Sequence, residues 1–228
     1  FMRIIDTTTE VVKQGGKRRG ANMGILNVDH PDIMKFIDAK ENEDILENFN
    51  ISLGTDEHFW ESLKDDGEFG LFNPRNGKIC DTIKARNVIE AAAHSAWSIA
   101  DPGLVYLDKV NAHNPLEPVW GRIESTNPCG EQPLNPYESC NLGHINLHAL
   151  VKDGEDGTRF DYERYSELIE TGTRFLDNVI DINNFPLEKI GEKSRKSRRI
   201  GLGVMGLADT LYEREIPYDS ALSYDFMH

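Results

Sequence analysis

Hydrophobic and polar positions along the chain switch repeatedly between a period near two and a period near 3.6, the signature of alternating strands and helices. Arg3 to Val12 is rich in Ile, Thr and Val and reads as a strand. Met23 to Val28 is an apolar strand, followed by a helix with Asp29 or His30 as cap, Pro31 in its first turn, and Ile33, Met34, Phe36 and Ile37 on its apolar face. Asn48 to Leu53 is a short strand, after which Thr55 caps a helix carrying Phe59, Trp60 and Leu63. The turn pairs Asn73-Pro74 and Asn76-Gly77 mark Phe69 to Cys80 as a turn or hairpin. Thr82 to Ala100 carries Ile83, Val88, Ala92, Ala96 and Ile99 near helical spacing, and Asp101-Pro102-Gly103 stops that helix.

Gly103 to Leu107 has the composition of a buried strand, Asn111 to Pro118 that of a loop, and Cys140 to Leu147 looks extended. A polar turn over Lys152 to Thr158 leads to a long helix from Asp161 to Ile182. Tyr165, Leu168, Ile169, Phe175, Leu176 and Val179 should face inward there. Ile200 to Val204 is short and apolar, and Ala208 to Glu213 is helical. The alternation makes the fold class α/β, and no linker, internal repeat or low-complexity tract divides the chain, so residues 1–228 are expected to belong to one domain. The first residue, Phe1, and a tail without a closing turn signal suggest an internal piece of a longer protein.

Charge narrows the range of partners. Against 25 Lys and Arg stand 39 Asp and Glu, a formal net charge of −14 in 228 residues. Affinity for a nucleic-acid backbone comes from basic side chains neutralising phosphates, so this balance argues against a nucleic-acid partner. It leaves room for a small anion held by a local basic cluster. No apolar run reaches the ~18 residues of a membrane span, and no secretory signal precedes Lys13. With three cysteines, too few and too odd for a disulfide framework, the expected setting is cytoplasmic and without a membrane. The seven histidines show no pairing with cysteine at metal-ligand spacing, so no metal site is expected.

Three stretches carry candidate chemistry. Lys13, Gln14, Gly15, Gly16, Lys17, Arg18 and Arg19 open a glycine-rich basic loop running to Asn22. Glycines let the backbone approach a ligand while Lys and Arg meet phosphate or base acceptors, but no Gly-Lys-Ser/Thr closes a Walker A loop. Gly201-Leu202-Gly203-Val204-Met205-Gly206 fits a dinucleotide fingerprint only on paper. The preceding Lys193 to Arg199 run is no strand, so the glycines are read as permitting close packing, and the run itself as a solvated helix end.

The third stretch is Ser125 to Tyr137, dense in Pro and Gly. Read as extended, it would point Asn127, Cys129 and Glu131 the same way, and Pro128 biases Asn127 in that direction. Pro133 and Pro136 rule out a central strand, leaving a constrained loop that presents an amide, a thiol and a carboxylate together. A carboxylate beside a thiol disfavours the thiolate, so the set suits a neutral or radical thiol next to a general base. On spacing alone, a surface loop with an incidental cysteine competes with that reading.

Asn127-Pro128-Cys129-Gly130-Glu131-Gln132-Pro133-Leu134, followed by Cys140-Asn141-Leu142-Gly143-His144-Ile145-Asn146-Leu147, resembles the active-site finger loop of ribonucleotide reductase large subunits, most closely the adenosylcobalamin-dependent class II type. Lys17 to Gly24, Asn48 to Ser52, Ala100 to Leu107 and Arg199 to Gly206 resemble further family segments, in the family's order. The resemblance implies the central part of a ten-stranded α/β barrel that reduces ribonucleotides to 2′-deoxyribonucleotides. Cys129 then matches the thiyl radical that takes the ribose 3′ hydrogen, Glu131 the base for the 3′-hydroxyl proton, and Asn127 the amide bonding the substrate hydroxyls.

Cys140 matches one of two cysteines that reduce the substrate, its partner lying before Phe1, whereas Cys80 matches no redox cysteine and is read as structural. The basic loop resembles the family's specificity loop, which relays a bound deoxynucleotide effector to the substrate base. Implied with these are adenosylcobalamin, a thioredoxin-type or other dithiol reductant, and a possible homodimer of the full-length protein. Two alternatives stay open: a class I large subunit fed by a separate radical-generating subunit, and a non-catalytic nucleotide-binding remnant.

Overall fold

In a computed structural model that describes residues 1–12, 19–41, 45–154 and 157–228, the chain groups into two units, Phe1–Pro136 and Tyr137–His228. The first opens with helix α1 (Met2–Val11), where a strand is expected from composition. Thr7, Thr8 and Thr9 donate their hydroxyls to the carbonyls of Arg3, Ile4 and Ile5 at 2.8–2.9 Å, satisfying the β-branched polar side chains inside the helix. Met2 and Ile5 meanwhile pack on Leu46, Phe49 and Ile51. Tertiary packing outweighs β propensity here, because propensity differences are only about 1 kcal/mol.

Strand β1 (Asn22–Asn27), helix α2 (Ile33–Ile37) with a 3-10 turn (Asp38–Lys40), and strand β2 (Phe49–Thr55) form a β-α-β unit with β1 parallel to β2. Asp32, rather than Asp29 or His30, occupies the N-cap of α2, and its N–H donates to His30 Nδ1 at 3.0 Å. Helix α3 (Glu57–Lys64) is capped by Asp56, whose Oδ1 accepts from the Phe59 N–H at 2.9 Å. The expected cap, Thr55, ends β2 and is buried, accepting from Trp60 Nε1 and donating to the Val105 carbonyl.

The expected hairpin is present as β3 (Glu68–Phe72) and β4 (Ile79–Lys84), antiparallel. Because β4 claims Thr82 to Lys84, helix α4 (Ala85–Ile99) starts three residues later than its periodicity suggests. Strand β5 (Gly103–Tyr106) pairs parallel with β2, giving a sheet of order β1-β2-β5. Leu104 and Tyr106 on this edge strand are exposed, contrary to the buried strand expected.

Short helices α5 (Leu107–Ala112) and α6 (Glu117–Trp120) take the ends of the expected Asn111–Pro118 loop and leave residues 113–116 as the connection. Buried Asn111 fixes them, bonding the Leu107 and Ile123 carbonyls and accepting the Ile123 N–H at 2.7 Å. The two-residue strands β6 (Ser125–Thr126) and β7 (Pro133–Leu134) close the unit as an antiparallel pair. Its core packs Val28, Ile33, Leu53, Phe59, Phe69 and Val88, each at most 3% exposed and worth roughly 1.5–3 kcal/mol of burial.

The second unit is built on a parallel pair, β8 (Asn141–Asn146) and β11 (Ile200–Met205). After a 3-10 turn (Leu147–Leu150), strands β9 (Val151–Gly154) and β10 (Gly157–Phe160) make a hairpin where a polar turn is expected. Helix α7 (Tyr162–Ile182) begins at its Asp161 cap, as the periodicity suggests. It buries Leu176 and Ile180, with Tyr165 and Leu168 against the Ile145, Leu147, Leu150 and Phe160 cluster. Phe175 is 66% exposed and Ile169 is exposed, so neither faces inward as expected. Helix α8 (Glu188–Ser197) holds most of the basic run, and α9 (Leu207–Glu213) and α10 (Ala221–Met227) complete the unit. The architecture is α/β with two sets of parallel strands, and among the described residues the sheets stay separate without closing into a barrel.

Candidate active site

Asn127 to Gln132 links β6 to β7 as a tight reversal, a constrained loop as expected but without the extended alternation of Asn127, Cys129 and Glu131. The Gly130 N–H donates to the Asn127 carbonyl at 3.0 Å and the Asn127 N–H to the Gln132 carbonyl at 3.1 Å. Asn at the first position, Pro128 at the second and Gly at the fourth are the preferences of a tight turn. Gly130 has φ +84°, a backbone state glycine adopts without the penalty of a Cβ. Chain reversal puts Cys129 at the exposed corner with a free thiol, and Glu131 is exposed in the same loop.

Asn127 has two duties available. Its Oδ1 accepts the Gln132 N–H at 3.0 Å and so closes the loop, which leaves the Nδ2 hydrogens as donors. Thr126, buried at the loop's base, donates its hydroxyl to the Asn127 carbonyl at 2.9 Å. From β2, Asn50 Nδ2 donates to the Pro128 carbonyl, reaching across 78 positions of sequence.

Cys140, half-buried and in no disulfide, directly precedes β8 in the second unit. The residues around it are pinned one by one. Glu138, with no side-chain exposure, accepts from Arg199 Nε at 3.0 Å; the Ser139 and Ser194 hydroxyls lie 2.7 Å apart; Asn141 Nδ2 donates to the Leu176 carbonyl. Arg198, ending α8 with φ +47°, donates to Asp177 Oδ1 at 2.7 Å and to both carboxylate oxygens of Asp181. Those guanidinium hydrogen bonds hold both aspartates below the ordinary carboxylate value and push Arg198 up.

Of the basic-loop candidates, Lys13, Gln14, Gly15, Gly16, Lys17 and Arg18 lie outside the described residues. Arg19 is exposed and 3.4 Å from Glu47 Oε2. The Gly201 to Gly206 glycines fall within β11 and at the cap of α9, not in a loop after a strand. A Cβ at Gly201 or Gly203 would press on Leu142 or His144 of β8, as close packing requires. Cys80 is the second residue of β4, where the pairing with β3 shifts register, and its thiol donates to the Leu71 carbonyl at 3.4 Å. Among the described residues no His, Cys, Asp and Glu group could hold a metal ion, and no helix is long and apolar enough to cross a membrane.

Sequence reading missed the polar clamps that hold these segments. Besides Glu138 and Arg199, Lys40 Nζ donates at 2.6 Å to both Asp101 Oδ2 and the Phe49 carbonyl, while Asp101 Oδ1 accepts from the Ile51 N–H. That clamp joins the starts of β2 and β5. The only sequence signal was a charged residue bordering each apolar strand.

A family model for the ribonucleotide reductase barrel domain matches residues 1–228. The chain is 57% identical over 221 residues to the vitamin B12-dependent ribonucleoside-diphosphate reductase of Thermoplasma acidophilum, covering 96% of this chain and 28% of that protein. It is 48% identical to the protein of the same name from Mycobacterium tuberculosis, covering 96% of this chain and 31% of the relative. Against the ribonucleoside-diphosphate reductase large subunit of Vaccinia virus it is 30% identical, covering 99% of this chain and 33% of that protein. The chain thus spans about a third or less of the length of these curated relatives. Since the match runs from the first residue to the last and takes in the Asn127–Gln132 turn, this chain belongs to the ribonucleotide reductase barrel-domain family.

Proposed function

We propose that this chain is the central part of the catalytic subunit of an adenosylcobalamin-dependent ribonucleotide reductase. The observation that carries the reading is the free thiol of Cys129 at the exposed corner of a closed turn, with Glu131 and the Asn127 amide in the same six residues. The 57% identity to a reductase named as vitamin B12-dependent supports the cofactor class and a ribonucleoside diphosphate as substrate.

In this reading Cys129, as a thiyl radical, takes the 3′ hydrogen atom of the ribose. Glu131 accepts the 3′-hydroxyl proton as the 2′-hydroxyl leaves as water, and Asn127 Nδ2 donates to a substrate hydroxyl. Cys140 and a partner thiol outside this chain give a proton to the leaving hydroxyl and a hydrogen to C2′, ending as a disulfide; Glu131 returns its proton to the 3′ oxygen and Cys129 its hydrogen to C3′. A dithiol reductant then restores the pair. An exposed thiol corner fits an initiator that approaches from outside the loop. Adenosylcobalamin, when bound, supplies the initiating radical by homolysis.

Residues 1–228 are proposed as part of a single ten-stranded barrel domain. Among the described residues the parallel sets β1-β2-β5 and β8-β11 keep unpaired outer edges, which supports this. Lys13 to Arg19 are proposed as the effector-specificity loop, in a cytoplasmic protein that works as a homodimer. The Vaccinia virus relative favours a second reading, a large subunit served by a separate radical-generating subunit.

The test is ribonucleotide reduction by the full-length protein, anaerobically and with a dithiol, with and without adenosylcobalamin, beside Cys129→Ala. Cobalamin-dependent reduction that vanishes in the variant is expected. Activity only with an added radical-generating subunit supports the second reading, and nucleotide binding without any reduction points to a non-catalytic remnant.

A further inference from the structure

Strand β2 is the central strand of the β1-β2-β5 sheet, and six of its seven residues are buried. The exception is Asn50, an amide at a position flanked by Phe49 and Ile51, both at most 5% exposed. Asparagine is disfavoured in strands and gains nothing from burial here, so packing does not account for it. Its side chain has a specific target instead, the carbonyl of Pro128.

That carbonyl belongs to the peptide unit joining Pro128 to Cys129. A peptide unit is planar, so holding its oxygen fixes the orientation of the Cys129 nitrogen and Cα as well. The loop's own hydrogen bonds, Asn127 to Gln132 and Gly130 to Asn127, define the shape of the turn but not its direction relative to the sheet. Asn50 supplies that direction from a strand hydrogen-bonded on both sides.

The geometry points to Asn50 as a positioning residue for Cys129, setting where the thiol corner sits over the bound sugar. This rests on the proposed radical role of Cys129. Hydrogen-atom transfer tolerates little misplacement of the reacting atoms, and an error of about 1 Å can cost on the order of 10²-fold in rate.

The test uses the full-length enzyme with Asn50→Asp, which keeps size but removes the donor, and Asn50→Ala. Steady-state kinetics are measured with ordinary and 3′-deuterated ribonucleotide, together with melting temperature. We expect kcat to fall roughly 10- to 100-fold with KM changed less than about twofold. The deuterium isotope effect on kcat should rise in both variants, because misplacement slows the C3′–H cleavage step itself. An unchanged isotope effect overturns the inference. It does so whether kcat stays near wild type or falls along with melting temperature, which would mark a purely structural role. Cys129→Ala is run in parallel. If it still cleaves the 3′ C–H bond, the reading of Cys129 fails; if it is inactive while the Asn50 variants match wild type, only the positioning role fails.

Discussion

The carboxylate of Glu138, wholly removed from solvent, is held at 3.0 Å by Arg199 Nε, and the pair ties the start of β8 to the start of β11. Cys140 lies two residues beyond Glu138, so the clamp governs how firmly that thiol is held. Removing one partner of a buried pair leaves the other charged and unpaired, at a cost of about 3–5 kcal/mol. Glu138→Gln should therefore lower the melting temperature of the full-length protein markedly. It should also speed alkylation of Cys140 relative to Cys80, read by peptide mass spectrometry. Equal alkylation ratios in wild type and variant would detach Cys140 from the clamp.

Asn127 makes a sharper probe of the site than its deletion would. Because Oδ1 closes the loop and Nδ2 is left to donate, Asn127→Asp keeps the acceptor for the Gln132 N–H and removes the donor. The variant should keep its melting temperature and lose activity. Glu131→Gln, which removes a general base, should lower kcat by about 10²–10⁴-fold, and Cys129→Ser should be inactive because a serine alkoxyl radical is no equivalent. If Asn127→Asp retains full activity, substrate contact through Nδ2 is wrong.

The Lys40–Asp101 clamp predicts strong coupling between its two members. Their side chains are 15% and 16% exposed, and each also bonds β2 backbone through Phe49 or Ile51. Lys40→Met should cost about 3 kcal/mol, and the Lys40→Met/Asp101→Asn double variant less than the sum of the singles by about 1–3 kcal/mol. Shielded from water, the contribution should change little between low and high salt, unlike that of the exposed Arg19–Glu47 contact. A double-mutant cycle at two ionic strengths measures both quantities.

Local signals carried much of the fold into the sequence. The β3–β4 hairpin follows from Asn73-Pro74 and Asn76-Gly77, and α7 from its apolar spacing, because turn chemistry and helical periodicity act within a few residues. What escaped depends on distant partners. Arg3 to Val11 is helical because Met2 and Ile5, three positions apart on one helix face, meet a cluster formed by residues 46–51, whereas the Ile, Thr and Val content points to a strand. The finger loop was identifiable by its residues, and its prolines marked it as a constrained loop, but they did not reveal the path of the chain within it. Alternation assumes an extended chain, and Asn-Pro-Cys-Gly turns it instead. The Glu138–Arg199 pair spans 61 positions and leaves no mark in either segment beyond two charges.

Arg198 combines two opposing effects that pH and substitution can separate. Its φ of +47° is a left-handed state costing roughly 1–2 kcal/mol for a residue with a Cβ, while its guanidinium bonds Asp177 and Asp181 on α7. Both aspartates are depressed below their ordinary value of 3.8 by those bonds. A depressed carboxyl stabilises the fold above its unfolded value, and that contribution disappears as pH falls through the folded value. The melting temperature of Arg198→Gln should therefore lie below wild type at pH 6, with the gap closing as pH drops below 3.8. Arg198→Gly should melt higher than Arg198→Ala, since both lose the clamp but only glycine relieves the backbone, by about 1 kcal/mol. A gap between Arg198→Gln and wild type that persists at low pH would mean that the arginine acts through packing of its stem on α7 instead of through the two carboxylates.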